Sequence, residues 1–199
     1  MPVASRTVFH RPADARDSGT ALLLIDFQHR ADAFVRSRRR SNPDLEAQVA
    51  ALLSCWRSGD GLVVHLHRFS PPSIYTGRPS SHLEQPLACA DPLPGERVLS
   101  RHAESGFVGT GLETWLHRHG VSRLVIAGMG TARSVGATAC HATSLSFSVM
   151  AVGDACADFD LIDRRGHIWQ AETVHDMGVA LMVTEGVDEV SVSEVLRRC

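Results

Sequence analysis

The sequence carries no excess charge of either sign, no long hydrophobic run and no paired pattern of cysteines. Over 199 residues the formal net charge is −2, so nothing in the overall balance attracts nucleic acid or an anionic membrane surface. The one basic run, Arg36-Ser37-Arg38-Arg39-Arg40, stands in a chain that is not otherwise basic and reads as a solvated helix end or loop. No apolar stretch reaches the ~18 residues of a membrane helix. The N-terminal MPVASRTVFHRPADARDSG has no apolar core, so no signal peptide is expected. Cys55, Cys89, Cys140, Cys156 and Cys199 are odd in number and read as free thiols of a cytoplasmic protein. There is no P-loop and no complete GxGxxG after a strand; Gly128-x-Gly130 alone is weak.

What is present is an ordinary globular composition, 44% hydrophobic and 21% charged, at a length that suits one domain with a sizeable core. Residues 1–19 read as a polar arm and 20–199 as a single domain. Thr20–Ile25 is a continuous apolar run, as expected of a strand buried on both faces. Residues 43–58 form a helix with Leu45, Val49, Leu52, Leu53 and Trp56 on one stripe. Further strands are expected at 61–67, 97–100, 122–127, 146–152 and 187–191. Helices are expected at 110–119, 134–145, 169–183 and from Ser193. Residues 70–96 are rich in Pro, Ser and Gly and read as a long excursion. The alternation predicts an α/β fold: a doubly wound, mostly parallel six-stranded sheet flanked by helices. Such sheets place their sites beyond the carboxyl ends of the strands. That gathers Asp26, His67, the loop after Ser100 and the 128–134 turn on one edge.

Each candidate has two readings. Asp26 follows a buried strand and is either a partly desolvated acid/base or a cap or loop ion pair. Arg101 either pairs with Asp26, or holds a substrate carboxylate, or is a surface arginine. Ser134 opens a helix after a glycine-rich turn, where free N–H groups stabilise an oxyanion; it is otherwise an N-cap. His65 and His67 share a strand face, but no third ligand follows with fitting spacing, so no metal is expected. No cofactor is expected either. His117, His119, His141 and His175 read as helix residues without partners.

These stretches together resemble the isochorismatase-like cysteine hydrolase superfamily, over about residues 18 to 197. ALLLIDFQ resembles its first strand with the catalytic Asp. VLSRHAESGFVGTGLETWLHRHGVSRLVIAGMGTARSVGATA resembles the stretch with the catalytic Lys, the SAF-GT-L signature and the nucleophile turn. VMAVGDACADFD and the AETVH helix resemble further family segments. The resemblance implies an Asp–Lys–Cys triad at Asp26, Arg101 and Ser134, two of which depart from it. It also implies a cis peptide beside Gly130, an oxyanion hole near Thr131, and a homo-oligomer. Gln28, His67, Phe107, Gly130, Thr131 and Arg133 are the expected substrate contacts, with Phe107 alternatively a core residue. Tyr75, Trp169 and the His67-Arg68-Phe69 segment line either the pocket or a subunit boundary.

The departures change the chemistry. A thiol ionises readily beside a cation, whereas a serine hydroxyl needs a strong base in reach. Arg101 holds its proton too tightly to relay it. The expected activity is therefore hydrolysis or lysis of a small polar metabolite with Asp26 as general acid/base. Isochorismatase-like vinyl-ether cleavage is the template, and no cysteine thioester forms. The alternatives are a catalytically inactive member with a binding or scaffold role, and a Ser134 nucleophile served by His67 or His102. Neither nucleic acid nor membrane is an expected partner.

Overall fold

The structure is a computed structural model that describes residues 19–29, 39–69 and 85–197. Tyr75, Cys199, residues 36–38 of the basic run, the arm up to residue 18 and most of the 70–96 excursion lie outside the described residues.

Strand β1 (Thr20–Ile25) is buried along its whole length. Its alternation splits the apolar run between the two faces of the sheet: Leu22 and Leu24 pack into one core, and Ala21, Leu23 and Ile25 into the other. Helix α1 (Leu45–Ser58) supplies Leu45, Val49, Leu52, Leu53 and Trp56 to the first core, the stripe expected from the sequence. Strands β2 (Leu62–Arg68) and β3 (Arg97–Arg101) follow, then helix α2 (Leu112–Arg118) and strand β4 (Arg123–Met129). After a turn come helix α3 (Gly136–Ser144) and strand β5 (Ser148–Ala157). A hairpin of β6 (Leu161–Ile162) and β7 (Ile168–Trp169) precedes helix α4 (Ala171–Thr184), strand β8 (Asp188–Val190) and helix α5 (Val192–Leu196).

The six-stranded sheet runs β3-β2-β1-β4-β5-β8, with every pairing parallel. Helices α1 and α5 cover one face, and α2, α3 and α4 the other. The strand order reverses between β1 and β4, so the crevice beyond their carboxyl ends is the natural place for a site.

Three local features differ from expectation. The segment before α3 is a π-helical turn, Thr131–Val135, so Ser134 sits inside a π turn and not at the start of the α-helix. Its hallmark is the Val135 N–H donating to Gly130 O at 3.1 Å, five residues back. Strand β5 runs past Gly153 because it bulges there: the register jumps from Ile126↔Ala151 to Gly128↔Cys156. The bulge turns Asp154 outward, where its carboxylate accepts the Val192 N–H at 2.7 Å and caps α5. The β6–β7 hairpin was not anticipated; the Asp163 carboxylate closes its turn by accepting the Arg165 and His167 N–H groups.

The cysteines also divide. Cys140 and Cys156 are free thiols. Cys55 is disulfide-bonded, which corrects the free-thiol expectation for that residue. No helix among the described residues is long and apolar enough to cross a membrane.

Candidate active site

Asp26 is the first residue beyond β1, and its backbone takes the left-handed conformation, φ 58°. Aspartate tolerates this region better than most residues, at a modest strain cost. The backbone is fixed by its own N–H donating to Leu66 O at 2.9 Å, and by its carbonyl accepting the Gln28 N–H at 2.8 Å. The carboxylate is thereby turned across the strand ends towards β2 and β3.

Arg101, the last residue of β3, meets it there. The Arg101 side chain is fully buried and donates through Nη2 to Asp26 Oδ2. Nη1 donates to the carbonyls of Ala103 and Glu104, the latter at 2.9 Å. Full burial excludes the surface-arginine reading. The other Asp26 oxygen, Oδ1, is buried and accepts no hydrogen bond from the described residues. Burial pushes the Asp26 carboxyl above its ordinary range, and the Arg101 and Arg68 guanidinium groups recover only part of that shift. Burial pulls Arg101 down while Asp26 holds it up; a guanidinium starts so high that it keeps its proton.

Arg68, at the end of β2, lies 3.7 Å from Asp26 Oδ2 through Nε. Its Nη2 reaches both Glu104 Oε2 and Ser134 Oγ, the latter at 3.3 Å. The Ser134 hydroxyl donates to Glu104 Oε2 at 3.1 Å, and Arg133 Nη2 donates to Glu104 Oε1 at 2.7 Å. Burial pushes Glu104 up, but Arg133, Arg68 and Ser134 outweigh it and hold the carboxyl below its usual range. Asp26, Arg68, Arg101, Glu104, Arg133 and Ser134 therefore form one continuous polar network.

The π turn that carries Ser134 is held at both ends. Gly130 takes φ 82° and opens the turn. Asp158, after β5, accepts the Ala132 N–H through Oδ2 at 2.8 Å and the Phe159 N–H through Oδ1. Gly178 of α4 lets the helix rest on the turn: a Cβ there would lie 2.7 Å from Ala132 Cα and N.

The remaining sequence candidates take other places. Gln28 clamps the backbone of Arg68, accepting its N–H at 2.7 Å and donating to its carbonyl at 3.4 Å. It thus positions Arg68. His67 points to the sheet face opposite Arg68 and lies against His65, ring centres 6.0 Å apart. Burial pushes its pKa down to about 4, so it is neutral near pH 7. His102 packs its ring edge on Phe69. Neither histidine hydrogen-bonds Ser134 among the described residues. Phe107 packs against His141 and Phe147, which favours its core reading. Thr131 is fully buried and shares a hydrogen bond with His175 Nδ1 at 2.9 Å. His65 bonds Glu96 at 2.8 Å.

Two expectations are corrected. The peptides flanking Gly130 are trans, not cis as the family resemblance implied. The helix histidines do have partners: His141 bonds Ser105, His175 bonds Thr131, His119 bonds the Trp115 carbonyl and His117 stacks on Phe147. The sequence reading missed Glu104 as a site residue and named Arg68 only within a lining segment. The signal for Arg68 was available, since it ends the strand beside β1.

Comparison with known proteins places the chain in a family. The isochorismatase domain matches residues 20–185. The uncharacterized isochorismatase family protein YddQ of Bacillus subtilis is 33% identical over 159 residues, covering 78% of this chain and 87% of that one. Streptothricin hydrolase of Streptomyces noursei is 32% identical over 146 residues, covering 71% of this chain but 50% of the relative. The crystal structure of an isochorismatase-family protein from Chromobacterium violaceum superposes with a TM-score of 0.83 at 34% identity, covering 94% of this chain and 98% of that one. A polar network at the β1/β4 crevice of this fold, with a domain match across most of the chain, shows that the protein belongs to the isochorismatase family of hydrolases.

Proposed function

We propose that the protein hydrolyses a small polar metabolite with Asp26 as general acid and base, and without a covalent enzyme intermediate. The observation that carries this reading is the asymmetry of Asp26: one oxygen fixed on Arg101, the other buried and accepting no hydrogen bond among the described residues. A carboxyl whose acidity is weakened by burial can hold a proton until a substrate carbon takes it. Vinyl-ether cleavage is the template. Asp26 protonates the terminal vinyl carbon, water adds to the resulting oxocarbenium carbon, and Asp26 takes the proton that water releases. The hemiketal then collapses to a ketone and an alcohol.

A serine ester route lacks its base. The acceptor of the Ser134 proton is Glu104, which Arg68 and Arg133 hold in its weakly basic, ionised form. No histidine among the described residues replaces it. Ser134 orients groups in this reading and does not attack.

The test is isochorismate turnover, followed as pyruvate release and product mass, in the wild type, Asp26→Asn and Ser134→Ala. The expected ranking is complete loss in Asp26→Asn and partial loss in Ser134→Ala. Complete loss in Ser134→Ala, with an adduct on that residue, returns the serine mechanism. Absence of turnover in all three proteins favours the non-catalytic alternative. That alternative draws its support from Arg68, which already bridges Asp26 and Glu104.

A further inference from the structure

Three donors converge on a carboxylate that belongs to the chain itself. Glu104 Oε2 accepts from Arg68 Nη2 and from Ser134 Oγ at 3.1 Å, while Oε1 accepts from Arg133 Nη2 at 2.7 Å. The donors and the acceptor are mounted differently. Arg68 ends a sheet strand and has its backbone clamped twice by Gln28. Ser134 is buried in the π turn, which Asp158 caps. Glu104 instead projects from the turn after β3, and its side chain is 39% exposed. Its backbone carbonyl is tied to Arg101, so the carboxylate can rotate out to water while the main chain stays in place. Arg68 and Ser134 are anchored, Arg133 reaches in from solvent with its side chain 67% exposed, and the occupant is replaceable.

Charge points the same way. The network holds the cations Arg68, Arg101 and Arg133 against the anions Asp26 and Glu104. Turning Glu104 outward leaves two guanidinium groups and a hydroxyl facing a space beside Asp26, an arrangement matched in charge and geometry by another carboxylate.

We infer that the Arg68–Arg133–Ser134 cradle is a carboxylate subsite, and that Glu104 is its resident competitor, displaced when a small carboxylate-bearing substrate binds. This rests on the proposal that substrate reacts at Asp26, because the cradle would deliver the ligand beside that residue. Glu104 is then a specificity element. It fills the cradle in the free protein and sets a threshold that only a carboxylate crosses.

The test is calorimetric titration of the full chain with pyruvate, and with its neutral amide, pyruvamide, at low salt. Glu104→Gln keeps the shape of the side chain and removes the competing charge. It is expected to bind pyruvate about ten-fold more tightly than the wild type, the size of one lost charge-assisted contact. Pyruvamide affinity is expected to stay unchanged, and adding Arg68→Met to Glu104→Gln is expected to abolish the gain. Glu104→Ala, checked by thermal unfolding, guards against a variant-specific folding defect. Equal or weaker pyruvate binding in both Glu104 variants overturns the inference, as does an equal gain for pyruvamide or no measurable binding to any form. Failure of the underlying reading looks different. If Glu104 controls pyruvate binding but Asp26→Asn changes no reaction, the subsite stands and the chemistry falls.

Discussion

Replacing Arg101 by Met tests how the buried pair is held. The substitution keeps an unbranched apolar side chain but removes the fully buried guanidinium that donates directly to Asp26 Oδ2. Breaking a buried ion pair from one side costs about 3–5 kcal/mol. Asp26 has an escape, however: it can take up a proton. For a carboxyl with an unfolded-state pKa of about 3.9, protonation costs about 4 kcal/mol at pH 7 and about 1.5 kcal/mol at pH 5. Those values cap the part of the penalty that belongs to Asp26. A second part, from the Ala103 and Glu104 carbonyls that lose the Nη1 donor, does not depend on pH. The sign follows from linkage. With Arg101 gone, the folded-state pKa of Asp26 rises further above its unfolded value, so the native state holds a proton the unfolded chain has lost. Stability therefore falls as pH rises.

The assay is denaturant and thermal unfolding of the wild type, Arg101→Met, Asp26→Asn and the double variant at pH 7 and pH 5. The gap between wild type and Arg101→Met is expected to shrink by at most about 2.5 kcal/mol on going to pH 5, because the wild-type Asp26, itself raised by burial, carries part of the same linkage. For a domain of this size that is a change of about 5–10 °C in the Tm difference. The double variant should be more stable than the two single losses added together, because Asn leaves no buried charge behind. A gap that does not change with pH, or strictly additive losses, would refute the account of Asp26 and Arg101 as a buried, mutually dependent pair.

Three further outcomes follow from the packing. Gly178→Val should destabilise the protein by about 1–3 kcal/mol in denaturant unfolding, because its Cβ would meet the Ala132 backbone at 2.7 Å. Asp158→Ala should cost about 1–3 kcal/mol by leaving the buried end of the π turn without its acceptor, measured by thermal unfolding. For Glu96, burial raises the carboxyl, but Arg57, the Leu93 N–H and His65 outweigh it and bring the pKa from 4.5 to about 2. Its stabilisation is therefore present above pH 4.5 and lost as pH falls towards 2, so Glu96→Gln should flatten the acid limb of the stability profile by about 2 kcal/mol, the roughly 3.4 kcal/mol of that shift reduced for solvent screening of the partly exposed pair.

The sheet was legible because its signal is local. The five apolar residues of β1 and the five-residue stripe of α1 each state their own burial pattern. The rule that sites gather at strand ends then brought Asp26 and Arg101 to one edge, and they do meet. The π turn was not legible, since it differs from an α-helical turn by one step of hydrogen bonding and not by composition. The run of β5 beyond Gly153 was hidden for a related reason: glycine ends strands and also forms bulges. Partnerships across long sequence distances left no trace either. Thr131 and His175 are 44 residues apart, and Glu104 and Ser134 are 30 apart. Glu104 reads in the sequence as a polar loop residue beside a motif, and only the converging Arg68, Arg133 and Ser134 mark it as part of the site.

The most direct test of Asp26 as the working acid is kcat/KM for isochorismate from pH 4 to pH 8 in the wild type and Asp26→Asn. The account predicts a rate that falls as pH rises through the elevated pKa of Asp26. It also predicts an Asp26→Asn rate at least about 10²-fold lower with no such limb. A wild-type rate that climbs with pH, or an Asp26→Asn variant that keeps the wild-type rate, would contradict it.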